Sequence, residues 1–216
     1  MKSVILITLS LLFSQFTFGQ DSDKGDKKSE EILNRLTAKT EAYGTIKTTF
    51  TYTMVNTESD INESTEGVLV VKGDKYRLNI AGQLVICDGE TIWTYINDAE
   101  EVQINSVDDS EESITPSNLL TSYNDDYKSK FIREDFQYGT TVNIIDLTPI
   151  EGKTFSKVRV IIDKAKDELL DITIFDKNGS TYSYIIKKFE PNVEIDESAF
   201  HFNEADYPNV DVVDMR

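Results

Sequence analysis

Apolar and polar positions alternate along much of this chain, most plainly over Lys75–Ile80 (KYRLNI). There Tyr76, Leu78 and Ile80 fall on one side, and Lys75, Arg77 and Asn79 on the other. A period of two belongs to a strand with one apolar and one wet face. The surrounding stretch from Gly67 to Ile104 holds four short apolar runs, 68–71, 76–80, 84–87 and 92–96. Each is closed by a turn cluster, at Lys72-Gly73-Asp74, Ala81-Gly82-Gln83, Asp88-Gly89-Glu90 and Asn97-Asp98, and the spacing predicts a β-meander. Upstream, Phe50, Tyr52 and Met54 alternate with Thr49, Thr51 and Thr53 in a strand over 46–55, and residues 56–66 (NTESDINESTE) read as a polar loop. Downstream, five more strands are predicted over 128–133, 141–147, 156–162, 169–175 and 181–189, the last two joined by a hairpin centred on Asn178-Gly179. Phe200 and Phe202 form a last apolar anchor, and Val210, Val212 and Val213 an edge strand.

Two stretches depart from this period. Ile32, Leu33, Leu36 and Ala38–Ala42 make one apolar stripe of a helix that starts at or near Ser29, carries Glu30 and Glu31 in its first turn and stops at Gly44. A shorter helix is expected over Pro116–Tyr123, with Thr115 as cap, Pro116 in the first turn, and Leu119, Leu120 and Tyr123 on its apolar side. The expected fold class is therefore mainly β with two helical segments (α+β). About ten strands form a curved antiparallel sheet or incomplete β-barrel, and the helices lid an apolar cavity. The lining would come from Phe50, Tyr52, Met54, Leu69, Val71, Tyr76, Leu78, Ile80, Trp93, Tyr95, Leu119 and Leu120. The same residues could equally pack an ordinary core, and the pattern alone does not separate the two.

The 216 residues suffice for one globular domain with a sizeable core. Residues 1–19 read as a cleaved signal peptide: Lys2 is the positive segment, 4–13 the apolar one, and Thr17-Phe18-Gly19 the cleavage site. Residues 20–29 form a charged linker, and 30–216 the single domain. An exported protein follows, expected to be a monomer and, with no cysteine directly after the signal, not lipid-anchored. With 22 Lys+Arg against 39 Asp+Glu the net charge is -17, which disfavours nucleic acid and anionic membrane surfaces as partners.

Chemistry is sparse. Cys87 is the only cysteine, which rules out an intrachain disulfide, and it lies in an apolar strand as a small buried hydrophobe. His201 is the only histidine, set between Phe200 and Phe202 on the solvent side of a strand, with no nucleophile-elbow pattern in the chain. No phosphate-binding loop, dinucleotide fingerprint or zinc-protease motif occurs, and the acidic run 105–113 lacks the spacing and central glycine of a calcium loop. The residues point to binding, with no cofactor and no metal, rather than to an enzyme.

Several segments taken together resemble the periplasmic outer-membrane lipoprotein carriers of the LolA family. They are Phe50-Thr51-Tyr52; Gly67-Val68-Leu69 with Lys72; Tyr76-Arg77-Leu78; Leu84 to Tyr95, an apolar run followed by Asp88-Gly89, Glu90-Thr91, Ile92 and Trp93-Thr94-Tyr95; and Pro116 with Leu119-Leu120. Weaker matches continue through Leu147-Thr148-Pro149, Phe175 to Gly179, Phe200-His201-Phe202 and 211–214. The resemblance implies an incomplete barrel whose cavity takes the acyl chains of lipoproteins, or another lipid. It also implies cargo received from an inner-membrane ABC transporter of the lipoprotein-release type and passed to an outer-membrane acceptor. Gly73-Asp74 stands where the family commonly has Arg-Pro, whose arginine ties the lid shut, and Tyr52 stands where a Gln is usual. An envelope-stress regulator of the same fold, sensing lipid or protein, is the alternative.

Overall fold

The first helix, α1 (Lys27–Glu41), starts where Asp26 caps it. The Asp26 carboxylate accepts from the Ser29 amide at 2.8 Å, and the Ser29 hydroxyl donates back to the Asp26 carbonyl at 2.8 Å. The cap places the helix start ahead of Ser29. In the computed structural model, residues 26–107, 127–150 and 152–216 are described. The expected signal peptide, most of the linker, the acidic run from 108 onward and the expected helix with Leu119 and Leu120 lie outside the described residues.

Among the described residues twelve strands follow: β1 (Ile46–Asn56), β2 (Ile61–Lys72), β3 (Lys75–Ile80), β4 (Gln83–Cys87), β5 (Thr91–Ile96), β6 (Glu101–Ser106), β7 (Tyr127–Gln137), β8 (Thr140–Pro149), β9 (Phe155–Asp163), β10 (Glu168–Asp176), β11 (Thr181–Pro191) and β12 (Asp211–Asp214). They form one sheet in the order β12-β6-β5-β4-β3-β2-β1-β11-β10-β9-β8-β7. Two antiparallel meanders are thus joined through the long β1–β11 pair, in which Tyr52 faces Tyr184 and Met54 faces Tyr182. Residues 56–66, expected as a loop, are mostly strand. Polar side chains are no obstacle where a strand end is solvated and its backbone pairs fully, as β2 does with β1 from Ile61 to Val71.

The fold class needs correction. Among the described residues the sheet is open, with no barrel, and a single substantial helix accompanies it rather than two. The two ends of the strand order, β12 and β7, do not pair with each other, and β12 runs parallel to β6. Over β4–β6 the far face is apolar and covered by the returning chain, while the near face is apolar at Val85, Cys87 and Ile92 and polar at Thr94, Gln103 and Asn105. After β11 the chain returns across one face through two 3-10 turns, Glu197–Phe200 and Glu204–Asp206, and ends as β12 at the far edge.

Cross-strand register defines the two faces, because paired residues point the same way. On the near face, Ile32, Leu33 and Leu36 of α1 pack with Ile145, Leu147, Phe155, Val158, Val160, Ile162, Leu169 and Ile172, with Tyr184 against the cluster's border. Polar ties hold α1 in place. Arg35 pairs with Asp167 at 3.1 Å, Lys39 with Glu168 at 2.9 Å, and the Ser29 and Ser129 hydroxyls lie 2.7 Å apart. Bulges preserve the near face where sequence spacing breaks. Leu169 and Ile172 are three residues apart, yet both face α1, because the pairing skips Leu170 between Leu169↔Ile162 and Asp171↔Ile161.

The far face carries Leu84, Ile86, Trp93, Tyr95, Val102 and Ile104, covered by Phe202 with Tyr207 and Val210. The returning chain is fixed there by Arg77, whose guanidinium donates to the Ala199 carbonyl at 3.1 Å, and by Lys72 and Lys75, both paired with Glu197.

Candidate functional site

Helix α1 covers the near face over β7–β10. Beside it runs a strip on β11, β1, β2, β3 and β4 that remains half-buried. Register places Phe50, Tyr52 and Met54 of β1 next to Ile186, Tyr184 and Tyr182 of β11 on one side. On the other side, Leu69 and Val71 of β2 lead to Leu78 and Tyr76 of β3, and these to Val85 and Cys87 of β4. Val71, Tyr76, Cys87 and Ile92 form a buried cluster at one end, flanked by the partly exposed Leu69, Leu78, Val85 and Val107. At the centre, aromatic rings touch in series. Phe50 and Tyr184 lie 5.7 Å apart, Tyr184 and Tyr52 5.2 Å, and Tyr52 and Tyr182 6.5 Å in a stacked pair.

Gly67 makes room for this series. A Cβ at Gly67 would overlap the Phe50 ring, so the absent side chain lets Phe50 lie flat across β2 and become buried to 3% exposure. The requirement is one of close approach, since Gly67 is not in the left-handed region.

The strip is a poor solvent for charge. Burial, with the neighbouring Tyr52 and Tyr182, pushes the Tyr184 phenol up to about 12, and burial does the same to Tyr76, also to about 12. Tyr52 is raised by burial, then by Tyr182 and Glu63. A phenol whose native pKa exceeds its unfolded value near 10 stabilises the fold fully below pH 10, and that contribution is lost as the pH rises through 12. Ultraviolet titration of phenolate is therefore expected to show a late class of tyrosines near pH 12, with denaturant stability falling between pH 10 and 12. A single transition near the ordinary tyrosine value in the folded protein would contradict this environment.

The expected lining residues divide between the faces. Phe50, Tyr52, Met54, Leu69, Val71, Tyr76, Leu78 and Ile80 share the near face. Trp93 and Tyr95 lie on the far face, where Trp93 pairs with Ile86 and meets the His201 ring edge-on at 4.8 Å, and Tyr95 packs against Tyr207 at 4.5 Å. Leu119 and Leu120 lie outside the described residues. Tyr182, Tyr184, Ile186 and Val85 join the strip although the sequence pattern does not place them there. Their alternation is visible, but only the β1–β11 pairing brings Tyr182 and Tyr184 beside Tyr52. Among the described residues no group of three or more His, Cys, Asp or Glu is arranged to hold a metal ion.

Among the described residues, a single open sheet is half covered by one helix and half carries an aromatic apolar strip. The family model for the outer membrane lipoprotein carrier protein LolA matches residues 41–203, and the chain belongs to that family. It is similar to the outer-membrane lipoprotein carrier protein of Shewanella amazonensis, 22% identical over 215 residues that cover 98% of each chain. The corresponding protein of Dechloromonas aromatica is 26% identical over 163 residues, 73% of this chain and 76% of that one. Among solved structures, an uncharacterized conserved protein from Thermus thermophilus shares the fold with a TM-score of 0.59 at 12% identity, covering 87% of this chain and 99% of the other. Family membership makes this a periplasmic protein and a carrier in general role, not an enzyme.

Proposed function

We propose that the near-face strip binds the acyl chains of lipoproteins, or of another lipid, and that the protein shuttles them from the inner to the outer membrane. The observation that carries this reading is the half-buried strip itself. Tyr52, Met54, Leu69, Leu78, Ile80, Tyr182, Tyr184 and Ile186 stand on the α1 side of the sheet, yet α1 packs on the other meander. A chain of roughly 14 methylenes leaving water gains about 11 kcal/mol at ~0.8 kcal/mol each, enough to hold cargo firmly. Release then needs a competing cover for the strip, since a carrier that keeps the whole gain cannot deliver.

In this reading the cargo comes from an inner-membrane ABC transporter of the lipoprotein-release type and passes to an outer-membrane acceptor. Lid control differs from that implied by the family's Arg-Pro. Gly73-Asp74 occupies that place, and Arg77, the nearest arginine in sequence, is engaged on the far face with Ala199.

Native mass spectrometry of protein purified from its own periplasm without detergent, followed by lipid extraction, tests the proposal. A co-purifying acylated protein or peptide is the expected result. An empty protein that also fails to bind a fluorescent fatty acid would reduce the strip to ordinary core.

A further inference from the structure

Thr48 is the aliphatic hydroxyl in the near-face row that otherwise reads Ile46, Phe50, Tyr52 and Met54. Its same-face neighbours are Ile46 and Phe50 along β1, and Leu69 and Phe189 across it. It is only 6% exposed, and its Oγ1 has no hydrogen-bond partner among the described residues. A buried hydroxyl in such surroundings is costly, and Val would fill the same volume without that cost. The other orphaned side-chain oxygen among the described residues is Asn143 Oδ1, on β8 in the meander that α1 covers. As an acceptor only, it cannot answer a carbonyl, whereas a hydroxyl can.

We propose that the Thr48 hydroxyl donates a hydrogen bond to the carbonyl of an acyl ester or amide bound on the strip, selecting acylated molecules over ether lipids and plain hydrocarbons. The inference rests on the lipid-carrier reading and adds a specificity-determining residue to it. The acyl chain supplies most of the binding free energy and is indifferent to its attachment. The carbonyl is the first polar atom of the chain, and Thr48 differs from the strip's tyrosines in that its hydroxyl sits at the strand backbone, buried among apolar side chains and unpartnered among the described residues. Without ligand the donor stays unsatisfied, and a bound carbonyl completes it.

The test compares palmitoyl lysophosphatidylcholine with its hexadecyl ether analogue, which differ by that one carbonyl, below their micellar concentrations. The wild-type protein is expected to prefer the ester by about fivefold to tenfold, the worth of one hydrogen bond. Thr48→Val is expected to bring ester affinity down to that of the ether, leave ether affinity unchanged, and melt no earlier than wild type. Thr48→Ser should keep the preference. Thr48→Ala removes the same hydroxyl with less bulk and gives the same readout if the valine variant does not fold. Equal wild-type binding of both probes, or a preference that survives in Thr48→Val, would overturn the role of Thr48 while leaving the carrier reading intact. A wild-type protein that binds neither probe would overturn both.

Discussion

Leu78→Glu is expected to weaken binding of an acylated probe by on the order of a hundredfold, because a carboxylate in the strip must either stay hydrated and block it or be buried without a partner. Leu78 stands on the near face, between Leu69 of β2 and Val85 of β4. Thr51→Glu provides the control. It adds the same charge on the far face of β1, where Thr51 pairs with Glu66 and Ile185, and is expected to change binding by no more than about twofold through long-range repulsion. Fluorescent fatty-acid titration of both variants, at matched ionic strength, decides the matter. Equal losses at the two positions would remove the assignment of faces on which the proposed function depends.

The second large effect concerns stability. Leu33→Ala is expected to lower the unfolding free energy by about 2–5 kcal/mol, the usual range for deleting a fully buried leucine. Leu33 is 0% exposed and packs in the cluster that includes Ile145, Val160 and Ile162. The measurement bears on mechanism as well as stability. A helix that works as a free lid would lift without disturbing the sheet, and urea unfolding would then show a loss below about 1 kcal/mol, outside the range for a core leucine. A loss in the full range makes α1 part of the core, anchored by the ties of Arg35 and Lys39. Control of the strip would then lie elsewhere.

Much of the strand content was legible because a period of two needs no tertiary information to read. The meander from Gly67 to Ile104, the β10–β11 hairpin at Asn178-Gly179 and the edge strand near Val212 all appear where the alternation and turn residues place them. The amphipathic stripe of α1 was equally plain, since Ile32, Leu33 and Leu36 have no use on a solvated helix. Local pattern failed where backbone pairing overrode side-chain polarity, as along 61–66, which reads as a loop but pairs in full with β1. It failed again at bulges, where one extra residue shifts the alternation. Phe155 and Val158 share the near face through such a shift, because the pairing skips Ser156.

The candidate site shows the same division. Tyr76, Leu78 and Ile80 were readable as one face because they lie on one strand. Whether Trp93 and Tyr95 share that face depends on the register across β4, and the register sends them to the opposite side. Residue order alone was enough for the class of elements, the apolar faces within each strand, the lack of catalytic motifs and the family resemblance. These are properties of local periodicity and residue type. It took the folded chain to show that, among the described residues, the sheet stays open, that β1 pairs with β11 to bring Tyr52 beside Tyr182 and Tyr184, and that the Thr48 hydroxyl is buried without a hydrogen-bond partner. Each of these depends on which distant strands meet and in what register, and an alternating pattern is the same for an open sheet as for a closed one.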